Sequence, residues 1–113
     1  MVEILHNPRC RKSREALQLL EEKNVEHTVI DYQKEPLTVE KLTEVISQLG
    51  IQPESLLRKG EAIYKEQYKG KQLSDLEWIE AMVEHPKLME RPIIIANGKA
   101  VVARPAEKIN EVI

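Results

Sequence analysis

Near the carboxyl end of the chain, Ile93-Ile94-Ile95-Ala96 and Lys99-Ala100-Val101-Val102-Ala103 flank the dipeptide Asn97-Gly98. Two β-rich runs across two residues that tolerate positive φ predict a hairpin, which commits this part of the chain to an antiparallel pair. The amino-terminal part follows a different pattern. Residues 2–5 are short and apolar-rich and run into His6-Asn7-Pro8, where proline stops a strand and asparagine favours a turn. From Ser13 onward, Ala16, Leu17 and Leu20 recur at helical spacing, and Asn24 can take the left-handed conformation that closes a helix. Residues 27–32 are β-rich again and stop at Lys34-Glu35-Pro36. Strand, helix, strand implies a right-handed parallel crossover. A crossover and a hairpin in one chain predict a mixed sheet.

The middle of the chain reads as helical. Thr38 can cap a helix whose Leu42, Val45, Ile46 and Leu49 form one face before Gly50 ends it. Pro53 suits a first helical position and opens a short helix over residues 54–59, stopped by Gly60. The polar, weakly periodic stretch to Lys71 predicts no element. Ser74-Asp75-Leu76-Glu77 is a capping box, with Leu73 and Trp78 at the spacing of a hydrophobic staple. The helix that follows carries Ile79, Met82 and Val83 and ends at His85-Pro86. Pro105 fits the first turn of a last helix, with Ile109, Val112 and Ile113 on its inner side. The expected architecture is α/β and thioredoxin-like. It has a four-stranded mixed sheet with flanking helices, and a helical insert between a β-α-β half and a β-β-α half. With 113 residues, one domain over 1–113 without a linker is expected.

Charge and cysteine content narrow the function. Seventeen Lys plus Arg against 19 Asp plus Glu give a formal net charge of −2, so nothing favours nucleic acid as a partner and any anion site must be local. No apolar run approaches the roughly 20 residues of a membrane-spanning helix, and no secretion signal is visible, so a soluble, cytoplasmic protein without a membrane partner is expected. The mixed charge is read as that of a monomer. A single cysteine excludes an internal disulfide and a thiolate metal site, and His6, His27 and His85 share no ligand spacing, so no metal and no bound cofactor are expected.

The one thiol, Cys10, lies between a strand end and a helix start, within Arg9-Cys10-Arg11-Lys12-Ser13-Arg14, where four of six residues are basic. Free amides at a helix start and nearby cations both stabilise a thiolate, so its pKa should fall below the ordinary thiol value of about 8.5. The competing reading is an inert buried cysteine, which has no reason to sit in a basic loop beside a proline. The same helix start can bind an oxyanion next to the sulfur. Only one or two of the neighbouring basic residues should face it. Ser13 stands where a two-cysteine redox protein keeps its resolving thiol. Its hydroxyl can cap the helix or donate to the thiolate, but cannot resolve a disulfide. His6 can donate to the sulfur or serve as a structural residue. Arg58, Arg91 and Arg104 each fall at an element end, and Pro92 is a candidate cis-proline that would bring Arg91 to face the sulfur.

With His6-Asn7-Pro8-Arg9-Cys10, Ser13-Arg14, Leu56-Leu57-Arg58-Lys59, Glu90-Arg91-Pro92-Ile93 and Ala103-Arg104-Pro105 in this order, the chain resembles the glutaredoxin-coupled arsenate reductases over nearly its whole length. It looks more like their chromosomal branch. Plasmid-borne members carry small residues where Arg11 and Lys12 stand. The resemblance implies Cys10 as nucleophile and Arg58, Arg91 and Arg104 as ligands of arsenate. His6 would be linked to the cysteine's acidity, with Ser13 and Arg14 in the active loop. Glutathione is the implied co-substrate and glutaredoxin the implied partner. Two alternatives share parts of the pattern. A glutathione-dependent thiol oxidoreductase could use the arginines for glutathione carboxylates. An Spx-type regulator that contacts RNA polymerase usually has a second cysteine where Ser13 stands and lacks the equivalents of Arg58 and Arg104.

Overall fold

The computed structural model describes residues 2–113. They cluster into two compact units, one formed by residues up to Glu35 together with Arg91–Ile113, the other by Pro36–Glu90.

In the first unit, β1 (Val2–His6), α1 (Arg11–Glu22) and β2 (His27–Asp31) form the crossover, and β3 (Ile93–Ala96) and β4 (Lys99–Val102) form the hairpin. The strand order is β2-β1-β3-β4. β1 is parallel to β2, with His6 opposite Asp31, and antiparallel to β3, with Ile4 opposite Ile94. The mixed thioredoxin-like sheet is therefore as expected. Asn97 and Gly98 take φ of 56° and 75°, the primed-turn geometry that suits the twist of two tightly joined strands.

Two periodicities build one side of this core. Alternation along β1 puts Val2, Ile4 and His6 on one face, while Ser13, Ala16 and Leu20 recur along α1 and are its buried residues. Val2, Ile4, Ala16, Leu20, Ile94, Ala96, Ala103, Ile109 and Val112 form one apolar cluster. Ile109 reaches it from a 3-10 helix, Ala106–Glu111, and Val112 from the residue that closes that helix, where the sequence pattern suggested an ordinary last helix. Pro105 precedes that helix, and Ile113, expected on the inner side, is exposed. Asn97 Nδ2 donates to the Val112 carbonyl at 2.9 Å, tying the hairpin turn to the chain end.

In the second unit, α2 (Val39–Leu49) is capped by Thr38, whose Oγ1 accepts from the Lys41 amide at 3.0 Å, and closed by Gly50 at φ 70°. A 3-10 helix, Pro53–Leu56, is shorter than the helix expected there. α3 (Ala62–Gln67) occupies the stretch for which no element was expected. Its Tyr64 ring stacks on Trp78 at 6.4 Å between centroids, and the following Tyr68 lies against Trp78 at 6.0 Å. Those aromatic contacts hold a helix that buries no residue of its own. α4 (Asp75–Glu84) begins at the capping box, with the Glu77 amide 3.2 Å from Ser74 Oγ and the Ser74 amide 2.9 Å from Glu77 Oε1. α2 packs on α4 through faces that include Leu42, Val45 and Ile46 on one and Trp78, Ile79 and Met82 on the other. No helix among the described residues is long and apolar enough to cross a membrane.

Candidate active site

The loop after β1 is a built turn. The Cys10 amide donates to the Asn7 carbonyl at 3.0 Å, placing Pro8 at the second turn position, where its fixed φ fits. Asn7 Oδ1 accepts from the Arg9 amide at 3.0 Å, which adds a side-chain turn over the same residues. Arg14 reaches back along α1, and its Nη1 donates to the Pro8 carbonyl at 2.9 Å. These bonds leave Cys10 at the N-cap of α1 with extended backbone, φ −97° and ψ 121°. The Ser13 hydroxyl neither caps α1 nor serves the sulfur. It accepts from the Asn7 amide at 2.9 Å and pairs with His6 Nδ1 at 2.6 Å, fastening the strand end, the turn and the helix to each other.

Cys10 is half-buried and free. Burial, the largest influence, pushes its thiol up. The Arg91 guanidinium as donor, the Ser13 amide, the Arg91 charge and the Lys12 amide together outweigh it, so the pKa ends below that of an ordinary thiol. The sulfur makes no formal capping bond, but both amides point positive dipole at it. The cation that acts on the sulfur comes from far away in sequence. Arg11 and Lys12 instead turn to Glu15, at 3.2 and 3.8 Å, on the exposed side of α1.

Arg91 is delivered by the residues that start the hairpin. The Arg91–Pro92 peptide is cis, as the sequence suggested, and so is Arg104–Pro105. The Pro92 carbonyl accepts from the Ala103 amide at 2.9 Å, and Arg104 Nη1 lies 3.5 Å from the Arg91 carbonyl. Cys10, Arg91 and Arg104 thus share the first unit. Arg58 belongs to the second. Its amide donates to the Leu88 carbonyl at 2.7 Å, beside the bridge between Leu57 and Met89, and its Nη1 is 3.4 Å from Glu61 Oε2.

His6 ends β1 rather than lying in the loop, and it is buried. Burial holds its pKa below 6.5, opposed by the Asp31 carboxylate and assisted by the Arg14 charge. Its ring pairs with Ser13. One residue escaped the sequence reading. Tyr32, only a strand end by its sequence pattern, is 1% exposed, and burial pushes its hydroxyl up to about 12 against the opposing Arg91 charge and the approach of the Gln33 side-chain amide. The signal for it was positional, since groups just beyond the carboxyl ends of parallel strands line the sites of α/β sheets.

Residues 5–112 match the model of the ArsC family. The chain belongs to the ArsC family. It is 46% identical to the uncharacterised protein YfgD of Escherichia coli, across 99% of this chain and 96% of that protein. It is 40% identical to an arsenate reductase of Neisseria meningitidis, across 99% of this chain and 97% of that one. Among solved structures, an arsenate reductase from Vibrio cholerae superposes with a TM-score of 0.95 at 45% identity, covering 99% of this ArsC chain and 97% of its own.

Proposed function

We propose that the protein reduces arsenate to arsenite, with Cys10 as the nucleophile and glutathione and glutaredoxin supplying the remaining thiols. The observation that carries this is the Cys10 sulfur at the α1 N-cap under the Arg91 guanidinium, which couples an activated thiol to a fixed positive group. Nucleophile and anion holder then coincide.

In the proposed cycle, the thiolate attacks arsenic, an As–S bond forms, one As–O bond breaks, and the departing oxygen leaves as water after protonation. Arg91 and Arg104 hold the oxyanion, and Arg58 is assigned to it by its motif. The glutathione thiol then forms a second As–S bond as another As–O bond breaks, its oxygen leaving as water. Two thiols then give up one electron each as As(V) becomes As(III), arsenite leaves, and the sulfurs end as a disulfide between Cys10 and glutathione. Glutaredoxin takes the glutathionyl group and restores Cys10. The protein has one cysteine, so the resolving thiol must come from outside. No bound cofactor enters this chemistry.

The test is NADPH consumption in a system of arsenate, glutathione, glutaredoxin and glutathione reductase. The wild type should support an arsenate-dependent rate, and Cys10→Ser should abolish it. Absence of an arsenate-dependent rate in the wild type, or an equal rate in Cys10→Ser, would refute the assignment.

A further inference from the structure

Among the described residues, four buried side-chain polar atoms lack a hydrogen-bond partner: Tyr32 Oη, Gln33 Nε2, Gln48 Oε1 and Arg91 Nε. The three in the first unit, on Tyr32, Gln33 and Arg91, all carry a proton to donate. Folded proteins seldom leave buried donors unmet, and a group of them calls for an acceptor supplied from outside. A tetrahedral oxyanion, with an acceptor at every corner, is such a group.

Position selects Tyr32 among these donors. It follows directly on Asp31, the last residue of β2, which pairs with His6, the last residue of β1. Tyr32 therefore stands at the end of the parallel pair from which the thiol loop departs. Cys10, Arg91 and the Gln33 side chain all act on its hydroxyl, so these groups are neighbours; the Gln33 amide approaches the phenolic oxygen as a donor, which leaves the phenol's own proton without an acceptor. At 1% exposure the ring has no freedom to turn its oxygen toward bulk water.

We propose that Tyr32 is an oxyanion-binding residue, its buried hydroxyl donating, alongside Arg91 Nε, to an oxygen of the anion held at Cys10. The inference rests on the oxyanion reading of this site and adds a neutral donor to its arginines. A phenol brings no charge, so it orients the anion and favours ligands that present an unprotonated oxygen at that corner. With no ligand bound, the hydroxyl is a cost to the fold. With the anion in place, that cost is relieved.

The test measures how inorganic arsenate protects Cys10 from iodoacetamide in the wild type and in Tyr32→Phe, which removes only the hydroxyl. Loss of one neutral hydrogen bond should raise the half-protecting arsenate concentration about five- to tenfold. The pH profile of alkylation without anion, and the urea midpoint, should not fall below the wild type's. Equal protection in both proteins would overturn the role of Tyr32 while leaving the oxyanion site intact. A weakened protection accompanied by a shifted anion-free profile and a lower urea midpoint would also overturn it, assigning the hydroxyl to the fold. No protection of the wild type at any arsenate concentration would refute the oxyanion reading and this inference with it.

Discussion

Replacing Arg91 with alanine should cut the thiolate population of Cys10 at any pH below its titration midpoint. Burial opposes ionisation most strongly, and the net lowering exists because Arg91 contributes twice, as donor and as charge, beside the Ser13 and Lys12 amides. A hydrogen bond to an ionised partner is worth about 1.5–3 kcal/mol, and ~1.4 kcal/mol is a factor of ten. Cys10 is partly exposed, so solvent screening places the effect at the lower end, about tenfold less thiolate. Arg91→Lys keeps a charge but loses the planar fork, and should fall between alanine and the wild type. The backbone carbonyl of Arg91, which faces Arg104 Nη1, survives either substitution, so that contact is not lost along with the guanidinium. Thiolate absorbance near 240 nm, followed against pH without added anion, reads the population directly. Alkylation rates at one pH would understate the change, because a thiolate of higher pKa is intrinsically more nucleophilic. Superimposable absorbance curves for Arg91→Ala and wild type would refute the claim that a remote cation activates this sulfur.

Two further outcomes concern the frame behind the thiol. Ser13→Ala removes the acceptor of the Asn7 amide and the partner of His6 Nδ1, leaving both without their hydrogen bonds, and should cost about 2–3 kcal/mol in urea unfolding. A loss below half a kcal/mol or so would mean that these bonds are readily replaced. His6 has a folded-state pKa below its ordinary 6.5, so the unfolded chain binds more protons between the two values. Its contribution is therefore present above 6.5 and lost as pH falls through the folded value. The thermal midpoint should drop between about pH 7.5 and pH 5.5, and His6→Asn should flatten that slope; an unchanged slope would exclude His6 as its source.

Several features of this molecule were visible in local patterns because local chemistry decides them. Thr38, Gly50, the Ser74 and Glu77 pair, and the Asn97-Gly98 turn each satisfy or relax backbone within a few residues, and each appears in the structure as its sequence suggests. α3 was invisible because its support is a ring stack on Trp78, fourteen residues downstream of Tyr64, with no apolar stripe of its own. The last helix departs from its sequence pattern for a related reason. Ile109 buries itself from a tighter 3-10 winding, Val112 from just beyond its end, and Ile113 is left outside.

The site divides in the same way. One cysteine at the start of a helix, after a strand and an Asn-Pro turn, determined where a free thiol would stand and that the chain holds no second thiol to pair with it. The basic run around it suggested activation by its own neighbours, while Pro92 pointed to Arg91, and it is Arg91 that acts on the sulfur. Helical geometry sends Arg11 and Lys12 toward Glu15 and Arg14 back to the Pro8 carbonyl, so proximity in sequence does not become proximity to sulfur. Tertiary structure brought Arg91 to the thiol by pairing β3 with β1, and brought Tyr32 there by ending β2 level with His6. An electrostatic environment depends on distance through space, which strand register decides and a linear pattern does not encode.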